Sequence, residues 1–356
     1  MKILQIITQM EAGGAQKVAM LLADALRNRG HEVEICFLYI KRPIYLDSHG
    51  VKFLLEHKPS LLDYIKIVIK LNEYLRSYQP QVLITHTHYA NVLGQFVARL
   101  CGIRKRIAVQ HNPVFTYPKI AALVDLTMGI TGFYSANIAV SQVVVDSVVN
   151  YPIGYKKLLK KIYNGIPALK VGNSPIQVHS QWCLPENVPL LINIGRLAKQ
   201  KNQAIILETL LQIPEAHLLL LGDGELRNFL ENRIAELGLK ERVHCLGELK
   251  SDDVLALLSI ANIFIFPSLY EAMPMALLEA MSLGLPIVAS DIPAMQEVLG
   301  DAGILLPANS VEEIVKAIRQ VLGSSKLANH MRECSLKRAY LFSLEKMVES
   351  YEELFN

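Results

Sequence analysis

Short apolar runs of strand length recur along this 356-residue chain, and helix-length amphipathic stretches fall between them. Lys2–Thr8 reads as a strand. Ala15–Arg29 reads as a helix, with Leu21, Leu22, Ala25 and Leu26 on one stripe. Val33–Leu38 follows as a strand and Leu61–Tyr78 as a helix. Val82–Thr85, Ile107–Val109 and Asn137–Val140 are further short strands. Regularity fails between Asn164 and Val188. Turn signals crowd there: Asn164-Gly165, Ile166-Pro167, Asn173-Ser174-Pro175 and Leu184-Pro185-Glu186-Asn187. A second alternating set then runs through Leu190–Ile194, Leu218–Leu221, Val243–Leu246, Ile263–Phe266 and Ile287–Ala289. Val311–Leu322 reads as a further helix, and Leu344–Phe355 is amphipathic. A βαβ series of this kind demands parallel sheets covered on both faces. The length exceeds the roughly 250–300 residues at which one core stops growing, so two domains are expected. The boundaries read 1–165 for the first domain, 166–188 for a linker and 189–342 for the second. Residues 343–356 form a helix crossing back to the first domain. The fold class is α/β, two doubly wound halves with their strand ends at a central cleft.

Composition narrows the function classes. Apolar residues make up 51% of the chain and no low-complexity block interrupts them, so disorder is not expected. No run approaches the ~20 apolar residues of a membrane span, and the amino terminus reads as a strand rather than a signal peptide. Cys36, Cys101, Cys183, Cys245 and Cys334 are scattered, which argues against a disulfide framework or zinc site and for a cytoplasmic protein. The net charge of +3 hides an asymmetry. Residues 1–170 carry 21 Lys+Arg against 10 Asp+Glu, while the remainder carries 15 against 23. A basic half attracts anionic surfaces, and Arg104-Lys105-Arg106 and Lys156–Lys161 are the clusters that would supply the patch. Neither cluster has interleaved aromatics, so nucleic acid is not an expected partner. A peripheral position at the inner face of a cell membrane is.

Several segments at predicted strand ends carry chemistry. Glu271 and Glu279 are eight residues apart, one in the loop after Ile263–Phe266 and one inside the helix that Pro274 opens. A helix start at that edge favours an oxygen-rich or anionic ligand. Two carboxylates suit a polyhydroxylated ligand such as a sugar nucleotide. Gly13-Gly14 forms a turn between the first strand and helix, without the dinucleotide fingerprint. Gly195-Arg196 and Lys201 follow the first strand of the second half, where a guanidinium and an ammonium can clamp a diphosphate without a metal. Gly222-Asp223-Gly224 is another glycine turn, suited to close backbone approach. His86, His88, Asn91 and His111 lie at two adjacent strand ends. No carboxylate or cysteine near these histidines completes a metal set, and no Asp-x-Asp pattern is present. Asp252-Asp253 reads as a helix N-cap.

In this order the segments resemble the retaining GT-B glycosyltransferases of family 4, glycosyl transferases group 1, over nearly the whole chain. The resemblance rests on Gly13-Gly14, His111, Asn164-Gly165, Gly195-Arg196…Lys201, Gly222-Asp223-Gly224 and Pro267-Ser268…Glu271-Ala272-Met273-Pro274…Glu279-Ala280. Ala272 departs from the glycine that usually follows the first glutamate. The resemblance implies two Rossmann-like domains, the second holding a nucleotide-sugar donor, with UDP favoured. The first would hold a glycan or lipid-linked acceptor. Arg196 and Lys201 would neutralise the diphosphate. Glu279 would bind the ribose, Glu271 the donor sugar, and the backbone of Ala272, Met273, Pro274 and Met275 the sugar and phosphate. Gly14 would let the first loop cover the diphosphate, and His111 would lie beside the sugar. Gly247-Glu248-Leu249 would receive the base. His86, His88 and Asn91 would be acceptor-side candidates. No metal or other cofactor is implied. A nucleotide-sugar 2-epimerase shares the architecture, and a non-enzymatic basic membrane-binding protein is a further alternative.

Overall fold

The structure, a computed structural model, describes residues 1–169, 172 and 174–355. Asn173, part of one turn signal, lies outside the described residues. The chain forms two compact units, one of residues 1–165 with 344–356 and one of residues 166–343.

In the first unit the strands are β1 (Lys2–Met10), β2 (Glu32–Ile40), β3 (Val51–Leu55), β4 (Val82–His86), β5 (Lys105–Gln110), β6 (Ala136–Ala139) and β7 (Leu159–Lys161). They form one parallel sheet in the order β3-β2-β1-β4-β5-β6-β7. The order reverses between β1 and β4, where Ile3 pairs with Val82 and Ile7 with His86. Helices Gly14–Asn28, Asp63–Tyr78 and His88–Leu100 cover the faces. Leu4, Ile6, Leu38, Ile67, Leu71, Leu83 and Val97 belong to the core between them.

The second unit repeats the plan. Its strands are β8 (Leu190–Ile194), β9 (His217–Leu221), β10 (Val243–Gly247), β11 (Ile263–Phe266), β12 (Ile287–Ser290) and β13 (Ile304–Leu306). The order is β10-β9-β8-β11-β12-β13, again all parallel, with the reversal between β8 and β11. Leu191, Ile206, Leu218, Ile263, Val288 and Ile318 share its core. Both sheets are therefore Rossmann-like. In such sheets ligands bind outside the carboxyl ends of the strands at the reversal.

Three strands were not expected from the sequence: β3, β7 and β13. All are sheet edges. An edge strand lacks cover on one side, so it needs no continuous apolar run, and Lys160 and Lys161 on β7 suit an unpaired edge. That strand also absorbs half of the Lys156–Lys161 cluster. Arg106 is not a free patch cation either. Its guanidinium donates to the carbonyls of Phe133 (2.9 Å), Gly132 (3.0 Å), Arg104 (3.2 Å) and Ile103. Asp252 and Asp253 lie in the first turn of helix Ser251–Ile260, two and three positions inside the cap, Lys250. There they face the positive end of the helix dipole instead of capping it. Within 166–188, Ile166 bridges to Ser343 and Pro175–Gln181 is a helix with a capping box from Ser174 and Gln177. Helix Leu344–Glu352 belongs to the first unit, where Arg29 pairs with Glu352 (2.5 Å) and His31 with the same carboxylate (2.9 Å). No helix among the described residues is long and apolar enough to cross a membrane.

Candidate active site

In the second unit three loops meet at the sheet reversal. The loop after β8 runs from Gly195 into a single 3-10 turn, Lys199–Lys201. Its neighbour after β11 runs from Pro267 to Pro274, where helix Met275–Ser282 begins. They are tied by two bonds: Leu269 N to Gln200 O (2.8 Å) and Gln200 Nε2 to Tyr270 O (2.7 Å). This clamp brings together two side chains 70 positions apart, and Lys201 Nζ forms an ion pair with Glu271 Oε1. Both are largely buried, and the ammonium also lies 4.9 Å from the Phe266 ring centroid. Ala272, Met273, Pro274 and Met275 are buried. Pro274 precedes the helix instead of occupying its first position, and its extended backbone (φ −77°, ψ 120°) turns the chain into the helix. The N–H groups of that first turn have no intrahelical partner. Glu279 is on the same helix, 4% exposed.

The third loop follows β9. Gly222 has φ +128°, a conformation open to glycine, and a Cβ there would lie 2.9 Å from Gly195 C. A Cβ on Gly224 would lie 2.7 Å from Leu197 N. The close approach expected of these glycines is thus to the protein's own backbone. They let the β9 loop press on the β8 loop, with Leu197 N bonded to Asp223 O (3.1 Å) and Leu226 N to Leu197 O (2.9 Å). Arg196 is held at the surface, its Nε 3.0 Å from Glu225 Oε2 and its side chain 65% exposed. Gly247 accepts from Gly222 N (2.7 Å), and Leu249 beyond it is half-buried.

In the first unit, Gly13 caps helix Gly14–Asn28 in an extended conformation, and both glycines are exposed. Across the reversal, Thr87 joins β4 to helix His88–Leu100 at φ +73°, a strained value for a β-branched residue. A bond between the Thr8 and Thr87 hydroxyls (2.6 Å) holds it. His86 is fully buried, its Nε2 2.8 Å from Gln5 Oε1 and its Nδ1 3.0 Å from Nε2 of the half-buried His111. Burial pushes His111 down to about 4 and His86 well below its ordinary value. His88 is half-buried against Tyr117 and is lowered for the same reason. Two acceptor-side expectations are corrected here. Asn91 is fully buried, accepting from Thr85 Oγ1 (2.8 Å) and donating to Val109 O (3.1 Å), so it ties β4 to β5. His86 has both nitrogens engaged and sits behind His111.

Sequence reasoning missed Gln5, Gln200 and Asp125. Gln5 carried a signal, as an uncharged polar residue inside an otherwise apolar strand. Asp125 is buried beneath Gln110 Nε2 (2.8 Å), Tyr134 OH (2.8 Å) and Tyr155 OH (2.5 Å), a grouping that no local pattern announces. Among the described residues no group of three or more His, Cys, Asp or Glu side chains is arranged to hold a metal ion.

Comparison with known proteins supplies the family. Residues 12–168 match the domain described as Glycosyltransferase Family 4, and residues 177–338 match Glycosyl transferases group 1. The Escherichia coli UDP-Gal:alpha-D-GlcNAc-diphosphoundecaprenol alpha-1,3-galactosyltransferase is 26% identical over 96% of this chain and 93% of its own. The Rhizobium meliloti lipopolysaccharide core biosynthesis glycosyltransferase LpsE is 25% identical over 96% and 95%. Among solved structures, Anabaena HepE in complex with UDP-glucose has the same fold, with a TM-score of 0.86 and 20% identity over 99% of both chains. Two matched domains on two Rossmann-like sheets account for nearly the whole chain, which belongs to the GT-B glycosyltransferases of family 4, the glycosyl transferases group 1.

Proposed function

We propose that the protein transfers a sugar, with retention of anomeric configuration and without a metal, from a UDP-sugar to a hydroxyl of a glycan or lipid-linked acceptor. The observation that carries the reading is the Lys201–Glu271 pair at the reversal between β8 and β11, beside a helix start and the exposed Arg196. A cation held there by a carboxylate is poised for a diphosphate, and the carboxylate so released is poised for sugar hydroxyls. Relatives whose names specify a UDP-galactose donor with a diphosphoundecaprenol-linked acceptor, and lipopolysaccharide core synthesis, support the substrate class. Assembly of surface polysaccharide or glycolipid is the matching role.

In this reading the second unit holds the donor and the first the acceptor. Arg196 and Lys201 neutralise the diphosphate as its bond to the anomeric carbon breaks. The leaving phosphate oxygen takes the acceptor hydroxyl's proton as the new glycosidic bond forms on the same face. Glu279 accepts from ribose hydroxyls, Glu271 from donor-sugar hydroxyls, and the Gly247–Leu249 turn receives the base. Gly14 leaves room for the first loop over the phosphates. His111 lies beside the sugar. Positive charge placed where negative charge develops is the main device, and the loss of one such group typically costs about 10²–10³ in turnover. Arg196→Ala and Lys201→Ala should each show that loss with unchanged circular dichroism, and near-normal transfer by both would refute the reading. Transfer should persist in excess chelator; its loss there would restore a metal. Donor incubated alone should yield no 2-epimer, the product a nucleotide-sugar epimerase would make.

A membrane surface fits the first unit. Leu62, Ile65 and Ile69 are 73%, 61% and 52% exposed at and along helix Asp63–Tyr78, which also carries the exposed Lys66 and Lys70. Ile120, Leu123 and Ile130 are similarly open on helix Lys119–Ile130. Apolar stripes with flanking cations suit an anionic bilayer interface. Vesicles containing anionic lipid should retain the protein at low salt, and failure to do so removes this part.

A further inference from the structure

The hydrogen bonds behind His111 determine which of its nitrogens carries a proton. Gln5 is fully buried in the middle of β1, and its Nε2 donates to Ala19 O at 3.1 Å. A backbone carbonyl only accepts, so the amide has one orientation and its Oε1 faces His86 Nε2, 2.8 Å away. That oxygen also only accepts, so His86 Nε2 bears the hydrogen. His86 is buried and neutral, which leaves its Nδ1 as a bare lone pair. His111 Nε2, 3.0 Å from that lone pair, is then the donor. A neutral His111 has no second proton, so its Nδ1 is bare, and among the described residues no hydrogen bond reaches it. The loop start is held as well: Gln110 donates to the buried Asp125 (2.8 Å) and accepts from Tyr117 OH (3.3 Å).

We propose that Gln5 and His86 are positioning residues that lock His111 as its Nε2–H tautomer and leave its Nδ1 a bare acceptor suited to a sugar hydroxyl. The ligand half rests on the glycosyltransfer reading above; the tautomer does not. A bare lone pair repels an anionic oxygen and accepts from an O–H group, so this nitrogen suits a sugar hydroxyl and not a diphosphate.

The test is ring-nitrogen NMR of the full chain labelled with ¹⁵N-histidine at neutral pH. In the free wild type, His111 Nε2 should be the protonated nitrogen and should couple through the hydrogen bond to His86 Nδ1. A proton on His111 Nδ1 overturns the proposal, whatever the enzyme's activity. Gln5→Lys puts a donor where Oε1 accepts. His86 must then protonate Nδ1 and donate to His111 Nε2, so the two His111 nitrogen signals should exchange character. A folded Gln5→Lys variant with unchanged His111 signals overturns the relay. If that variant does not fold, Gln5→Met decides. With the acceptor gone a second His111 tautomer should become visible, and a single unchanged tautomer counts against the relay. Saturating UDP-glucose or UDP-galactose should shift the Nδ1 signal while UDP leaves it unmoved; an equal response to UDP overturns the hydroxyl assignment. If none of these probes perturbs any backbone amide of a second, uniformly ¹⁵N-labelled sample, the glycosyltransfer reading is at fault, and the tautomer measured in the free protein still stands or falls alone.

Discussion

Gly224→Ala isolates a device that the fold uses to hold Arg196. Gly224 adopts no left-handed backbone angle, so the effect of a methyl group there is steric. The new Cβ would lie 2.7 Å from Leu197 N, 2.8 Å from Leu197 C and closer still to the Leu197 oxygen, where ordinary contact begins at 3.4 Å. These are backbone atoms and cannot rotate away, so the β8 and β9 loops must part by ~0.7 Å or more. Parting strains or breaks the Leu197 N–Asp223 O and Leu226 N–Leu197 O bonds. Two such bonds contribute about 1 kcal/mol each, and overpacking of this kind costs about 1–3 kcal/mol. The expected loss is therefore about 3–5 kcal/mol in the unfolding of the second unit, read by urea denaturation with its transition followed separately. Arg196, one residue before Leu197, moves with the loop. A displacement near 1 Å at a catalytic group lowers turnover by roughly 10², so initial rates should fall at saturating donor. A variant within about 0.5 kcal/mol of wild type with an unaltered rate would falsify the view that the glycine serves loop-on-loop packing.

Glu271→Gln removes the carboxylate that holds Lys201. The bare nucleoside diphosphate should bind about three- to tenfold tighter by calorimetry, a gain of about 0.7–1.4 kcal/mol, while transfer falls; weaker diphosphate binding would contradict the competition. The His86–His111 pair makes the first unit acid-sensitive. In the unfolded chain both imidazoles protonate near pH 6.5, whereas burial keeps His111 neutral to about 4 and His86 below its ordinary value. The unfolded state binds more protons between pH 6.5 and about 4, so stability should fall as pH drops through that window. Denaturation midpoints from pH 7.5 to 4 would reveal it, and His111→Asn should flatten the slope. Removing residues 344–356 exposes the sites of Met347, Val348, Tyr351 and Phe355, all nearly inaccessible. At about 1.5–3 kcal/mol for each buried side chain, the truncated first unit should be insoluble or unfold at far lower denaturant. Equal stability would mean that the helix is not part of that core.

Much of the fold was legible in local pattern. Strands buried on both faces must be apolar throughout, and helices covering them must carry an apolar stripe, so β1, β4, β8, β9 and β11 and helix Val311–Leu322 announce themselves. The edge strands β3, β7 and β13 do not: Lys52 interrupts β3, two of the three residues of β7 are lysines, and β13 is apolar but only three residues long, too short for a pattern to show. The same limit governs the candidate site. Loop positions at strand ends follow from the element order, but which side chains meet does not. Gln5 and His86, 81 residues apart, are joined by a register in which β1 lies beside β4.

By itself the sequence determined the class of sheet, the two-fold repetition and the loops that carry charge and glycine at strand ends. These are consequences of periodicity and residue chemistry, which act over a few positions. Only the tertiary structure decided that Lys201 is paired with Glu271, that Gly222 and Gly224 pack against the protein's own backbone, and that Asn91 and His86 are interior. Burial, hydrogen-bond partnership and tautomer are properties of neighbours in space, and folding alone brings those neighbours together.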